Sequence, residues 1–204
     1  MGTVWTFGDS LTEGFKSGET WAKTYVEWKG YVPMTYGEII ANKLNFELIN
    51  LGKGGLDNYS ILECFIKNIE KIKKNDIVIL GWSDVGRFRL ATKNDTWISL
   101  VPNFTNLTNM ENISLNTINE MSVNRLSKVY IEELNIWINF FNHVIRDFQV
   151  ISWSNFNLGK LDSIFIHGVE QIKKETNGEI NDWHFSEKGQ KQLAETLLDE
   201  IKKP

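Results

Sequence analysis

Thr3-Val4-Trp5-Thr6-Phe7-Gly8-Asp9-Ser10-Leu11-Thr12 is a short apolar run that stops at small and polar residues. Residues 3 to 8 alternate and then run apolar, the pattern of a buried strand, and Gly8-Asp9-Ser10 brings turn-forming residues to its carboxyl end. Two later stretches repeat that grammar. Phe46-Glu47-Leu48-Ile49-Asn50-Leu51 runs into Gly52-Lys53-Gly54-Gly55, and Asp76-Ile77-Val78-Ile79-Leu80 runs into Gly81-Trp82-Ser83-Asp84. Helical spacing fills the gaps: Tyr36, Ile39, Ile40 and Leu44 follow Pro33, while Ile61, Phe65, Ile69 and Ile72 follow Asp57-Asn58, which can cap a helix start. The order is strand, helix, strand, helix, strand.

Beyond this core, Leu126, Tyr130, Leu134, Trp137, Phe141, Val144 and Phe148 fall at steps of three or four and predict a long helix over residues 121 to 147. Val150-Ile151-Ser152-Trp153 reads as a fourth strand and Ile164-Phe165-Ile166 as a fifth. Ser186 is placed to cap a final helix that stacks Leu193, Leu197 and Ile201. Residues 85 to about 120 break the rhythm, with Thr, Asn and Ser but no clean period, and read as a long loop or insertion leaving the sheet edge. The expected fold class is α/β: a three-layer α/β/α sandwich around a mainly parallel, flavodoxin-like sheet, with ligands at the carboxyl ends of the strands. At 204 residues, one domain over 1–204 is expected.

Composition narrows the function. With 22 Lys+Arg against 26 Asp+Glu, the net charge of -4 lacks the basic excess that drives phosphate-backbone binding, so no nucleic-acid partner is expected. Cys64 is the only cysteine, which excludes an internal disulfide and a cysteine-built zinc site; it is expected to be a small buried hydrophobe. The N-terminus has neither a basic n-region nor an apolar h-region, and no 18-residue uncharged apolar run occurs. No membrane span is expected, and a cytoplasmic location is the default. Phosphate-loop, dinucleotide, Gly-x-Ser-x-Gly and His-Glu-x-x-His patterns are all missing, so no metal and no cofactor is expected.

Ser10 stands in a turn after a buried strand, where a hydroxyl can project from the sheet edge beside backbone N–H groups. By itself such a serine is more often a cap or turn former. A nucleophilic serine also needs a base, and Asp182-Trp183-His184, just before the final helix, offers an imidazole and a carboxylate in one loop. His143 and His167 have no comparable neighbours and read as structural.

Taken together, Gly8-Asp9-Ser10-Leu11-Thr12 near the start and Asp182-Trp183-His184 near the end resemble the SGNH, or GDSL, hydrolases, in the family's order and over nearly the whole chain. The resemblance implies that Ser10 is the nucleophile, that His184 is the base, and that Asp182 orients it. It also implies an oxyanion hole made by Ser10, a glycine after the second strand, with Gly55 first and Gly54 next, and the residue after the third strand. In that last place Gly81-Trp82-Ser83-Asp84 stands where the family has Gly-x-Asn-Asp, so Ser83 replaces the family's Asn with a shorter donor. A second departure is spacing, because the family's acid lies three residues before its histidine and that position here is Asn181.

The implied activity is a serine esterase removing short acyl groups, acetyl first, from a carbohydrate. The alternatives are a weakly active or inactive glycan-binding module of a larger assembly, and a lysophospholipase or thioesterase. Eight Trp residues are many for this length. Trp82, Trp183 and Trp28 are candidate platforms for a sugar, whereas Trp5, Trp137 and Trp153 read as core. Arg87 is a candidate contact for an acidic substrate group. The oligomeric state is open.

Overall fold

The computed structural model describes residues 2–14, 26–27, 30–91, 97–100, 128–144, 147–155, 164–165 and 184–201. Seven strands lie among them: β1 (Thr3–Gly8), β2 (Glu47–Asn50), β3 (Ile77–Trp82), β4 (Phe88–Ala91), β5 (Trp97–Leu100), β6 (Gln149–Ser154) and β7 (Ile164–Phe165). The helices are α1 (Ser10–Glu13), α2 (Tyr36–Leu44), α3 (Asn58–Asn68), α4 (Lys128–Val144) and α5 (Glu187–Ile201), with a 3-10 turn over Ile69–Lys71.

The main sheet has the order β2-β1-β3-β6-β7, and every pairing in it is parallel. Register runs from Val4 opposite Ile77 to Gly8 opposite Gly81, so β1 and β3 end level with each other. The chain steps from β1 outward to β2 and then returns to the other side of β1 for β3. That reversal opens a crevice between the carboxyl ends of β1 and β3, where α/β sheets bind ligands.

Alternation along the strands builds two cores. Val4, Ile77, Ile79, Ile151 and Trp153 face a layer made by Tyr36, Ile39 and Ile40 of α2 and Leu193, Leu197 and Leu198 of α5. Trp5, Phe7, Val78, Leu80 and Trp82 face Ile61 and Phe65 of α3 and Leu134, Ile138 and Phe141 of α4. Helices therefore cover both faces, as three-layer packing requires. Local chemistry sets where they begin. A reciprocal capping box starts α2, with Glu38 N–H donating to Thr35 Oγ1 and Thr35 N–H to Glu38 Oε2. Asp57 accepts from Ser60 N–H at 3.0 Å to start α3, and Ser186 accepts from Gly189 N–H at 3.1 Å to start α5.

Within the segment expected as a long loop or insertion, β4 and β5 form an antiparallel ribbon apart from the main sheet, with Phe88 opposite Leu100 and Ala91 opposite Trp97, too short for alternation to register in the sequence. Of the helix expected over 121–147, Lys128–Val144 is helical and residues 121–127, 145 and 146 lie outside the described residues, while Phe148 lies beyond it, partly buried against the core, as the chain enters β6. Cys64 is half-buried on α3 and is not a core residue. Among the described residues no helix is long and apolar enough to cross a membrane.

Asp76 ties the start of β3 to β1. Its carboxylate accepts from Thr3 N–H at 2.9 Å, from the Trp5 indole at 3.0 Å and from Lys73 N–H at 2.9 Å. Burial pushes its carboxyl up, but these donors outweigh it and hold it below the usual carboxylate range. A depressed folded-state value means stability that is present above the unfolded value, near 3.9, and lost as pH falls through the folded one. The stability gap between wild type and Asp76→Asn should therefore be widest near neutral pH and close on acidification below about pH 4, in urea denaturation followed by tryptophan fluorescence.

Candidate active site

The first turn after β1 is wound by Asp9. Its carboxylate accepts from Leu11 N–H at 2.9 Å, and its carbonyl accepts from Thr12 and Glu13 N–H, each at 3.0 Å. Asp9 is thus the N-cap of α1, Ser10 is its first residue, and Gly14, with φ of +87°, turns the chain away. Ser10 is half-buried at the carboxyl edge of the sheet.

Thr12, two residues on, fits a cradle of glycines. A Cβ at Gly8 would lie 2.1 Å from Thr12 Oγ1, one at Gly81 would lie 2.7 Å from it, and one at Gly52 would lie 2.7 Å from Glu13 N. Side chains at any of the three would separate the strand ends. Asn50 Nδ2 donates to the Thr12 carbonyl at 2.7 Å, and Lys53 N–H donates to the Gly8 carbonyl at 3.0 Å, drawing the loop after β2 against α1. From below, Tyr36 donates to Thr12 Oγ1 at 3.2 Å. Burial raises the Tyr36 hydroxyl well above the usual tyrosine range, so it stays a donor.

Of the two candidate glycines, Gly54 is the one that lies beside Ser10. The position of a Cβ on residue 54 is 3.8 Å from Ser10 Cβ, whereas a Cβ on Gly55, at φ of +78°, would have nothing within 4 Å.

Ser83 is fully buried. Its hydroxyl donates to Asp9 Oδ2 at 2.9 Å. With its one hydrogen committed, this hydroxyl supports the carboxylate that winds the nucleophile turn and has no hydrogen left to donate to an oxyanion. Asn58 clamps the Ser83 backbone from both sides, accepting from its N–H at 2.7 Å and donating to its carbonyl at 3.0 Å. Arg87 Nη1 lies 2.9 Å from the same Asp9 Oδ2, in a pair whose side chains are 16% and 4% exposed. Arg87 is thus engaged below the turn and not held out toward solvent. Trp82 is 1% exposed, packed near Trp137 with ring centroids 6.5 Å apart, so it is a core residue with no free face for a sugar.

His184 is half-buried, immediately before Phe185 and the cap of α5. Phe185 packs on Trp153 and belongs to the same core cluster as Leu11, so the histidine segment and the serine turn are anchored on one face of the sheet. Gln190 of α5 accepts from Tyr36 N–H at 2.7 Å and ties that segment to α2. Asp182, Trp183, Asn181 and Trp28 lie outside the described residues.

Sequence reasoning missed Asp9 as the hub and Asn58 as the clamp. The signal for Asp9 was its place one residue before the serine, where a cap belongs. Asn58 carried no signal beyond its neighbour's capping role.

Removing either side-chain donor leaves the buried Asp9 carboxylate short of a partner. Arg87→Met should cost about 3 kcal/mol, Ser83→Ala about 1–2 kcal/mol, and Asp9→Asn on the Arg87→Met background should recover part of the loss, all measured by urea denaturation.

A family model described as GDSL-like Lipase/Acylhydrolase matches residues 4–197. No curated protein matches the chain. Among solved structures, it is similar to a carbohydrate esterase whose active site displays divergent catalytic and non-catalytic binding functions, at 13% identity and a TM-score of 0.45, over 100% of this chain and 69% of that one. It is also similar to a catalytic mutant of an acetylxylan esterase from Geobacillus stearothermophilus, at 15% identity and a TM-score of 0.47, over 100% of this chain and 97% of that one.

Proposed function

The chain belongs to the GDSL-like lipase/acylhydrolase family, and on that footing we propose that it is a serine esterase that hydrolyses short acyl esters, acetyl first, on a carbohydrate. The observation that carries this reading is a half-buried serine on the strand-to-helix turn at the sheet's switch point, with the Gly54 backbone beside it.

In this reading Ser10 Oγ attacks the ester carbonyl carbon as His184 takes its proton, and the carbonyl oxygen becomes an oxyanion. The N–H of Ser10, in a first helical turn with no partner four residues back, and the N–H of Gly54 receive that charge. His184 then protonates the departing alcohol, leaving the acyl group on Ser10. Water, deprotonated by His184, attacks this acyl-enzyme; the acyl–Oγ bond breaks, His184 returns the proton to Ser10 Oγ, and the acid leaves. Asp182 orients the imidazole. Ser83 and Arg87 act on Ser10 through Asp9.

Mass spectrometry after incubation with a fluorophosphonate should show one adduct on the wild type and none on Ser10→Ala. With p-nitrophenyl acetate, His184→Ala should lower kcat by at least about 10³-fold. If Asn181→Ala cripples turnover while Asp182→Ala does not, Asn181 is the orienter. Absence of labelling together with polysaccharide binding would replace the esterase by a glycan-binding module.

A further inference from the structure

The Gly54 amide beside the nucleophile is already engaged. Its N–H donates to Glu13 Oε2 at 2.6 Å, a short, charge-assisted contact. The position of a Cβ on residue 54 sees both groups at once, Glu13 Oε2 at 2.9 Å and Ser10 Cβ at 3.8 Å. Glu13 lies three residues after Ser10 in α1, on the same side of the turn. An internal carboxylate thus rests on a backbone donor next to the serine.

A carboxylate on that donor resembles the oxyanion of the tetrahedral intermediate and not the neutral ester that precedes it. We propose that Glu13 is a specificity-determining gate: it occupies the Gly54 donor at rest, is displaced when an ester seats, and disfavours esters with a negative charge near the scissile bond. The selectivity rests on the esterase reading, whereas the occupancy of Gly54 does not.

Two measurements on the full chain separate these. First, Glu13→Ala vacates the position, so acetate titrated into the isotope-labelled variant should shift the Gly54 amide resonance and should leave it unmoved in the wild type. No response in the variant, or an equal response in both, overturns the gate whether or not the protein is an enzyme. Second, Glu13→Gln keeps the shape and removes the charge. The ratio of kcat/KM for p-nitrophenyl hemisuccinate to that for p-nitrophenyl acetate should rise about fivefold, the size of one water-screened like-charge contact. An unchanged ratio, with both rates falling together, would make Glu13 a latch that only fixes the loop after β2 and would overturn its role in selectivity. If the wild type hydrolyses neither ester and takes no fluorophosphonate, the esterase reading fails, and the acetate response alone decides the occupancy of Gly54.

Discussion

Thr12 is the residue around which three strand ends converge. Its side chain fills space that Gly8 at the end of β1, Gly81 near the end of β3 and Gly52 after β2 leave by having no Cβ. A larger residue at Gly52 would meet the backbone of the turn, and one at Gly8 or Gly81 would meet the buried Thr12 side chain, with the Trp153 indole also against Gly81. The parallel register that sets Gly8 beside Gly81 and the hydrogen bonds of Asn50 to α1 bring the same elements together from other directions. The serine's position is therefore a by-product of packing: Ser10 stands where it does because Thr12 has only one place to go.

A second constraint is electrostatic. Asp9 is nearly as buried as the core around it, yet every described contact of its side chain is to a donor: one backbone N–H, one hydroxyl and one guanidinium. A buried carboxylate that lost one of these would gain nothing in return. Ser83 takes its place in this network by donating its hydroxyl to Asp9. Asn58 supplies a carboxamide to the same region from α3, bonded to the Ser83 backbone and not to the nucleophile turn.

The layer order and the parallel strands were legible because β1 and β3 are buried apolar runs that lead into small residues, and because α2, α3 and α5 carry both a periodic stripe and a cap. The ribbon of β4 and β5 was not, since four-residue strands are too short for alternation to stand out from a loop rich in polar residues. Ser10 and its glycine-bearing neighbours were legible from the motif and from the strand ends. The choice between Gly54 and Gly55 was not, because it depends on which of two adjacent residues faces α1, which the chain's order does not encode. Sequence alone does not tell whether a side chain at the end of β3 or in the loop after it turns outward or inward, so neither the burial of Trp82 nor the pairing of Arg87 with Asp9 was legible.

The layer that α5 completes has a consequence for how the chain is made. Val4, at the amino-terminal end, and Leu193, Ala194, Leu197 and Leu198, close to the other end, belong to one core. While the polypeptide emerges from the ribosome, the strands that carry Val4, Ile79 and Trp153 are all synthesised before the helix that covers them. Nascent chains of intermediate length thus display an apolar sheet face that α2 covers only in part, the condition under which long-range parallel folds are slow and recruit chaperones.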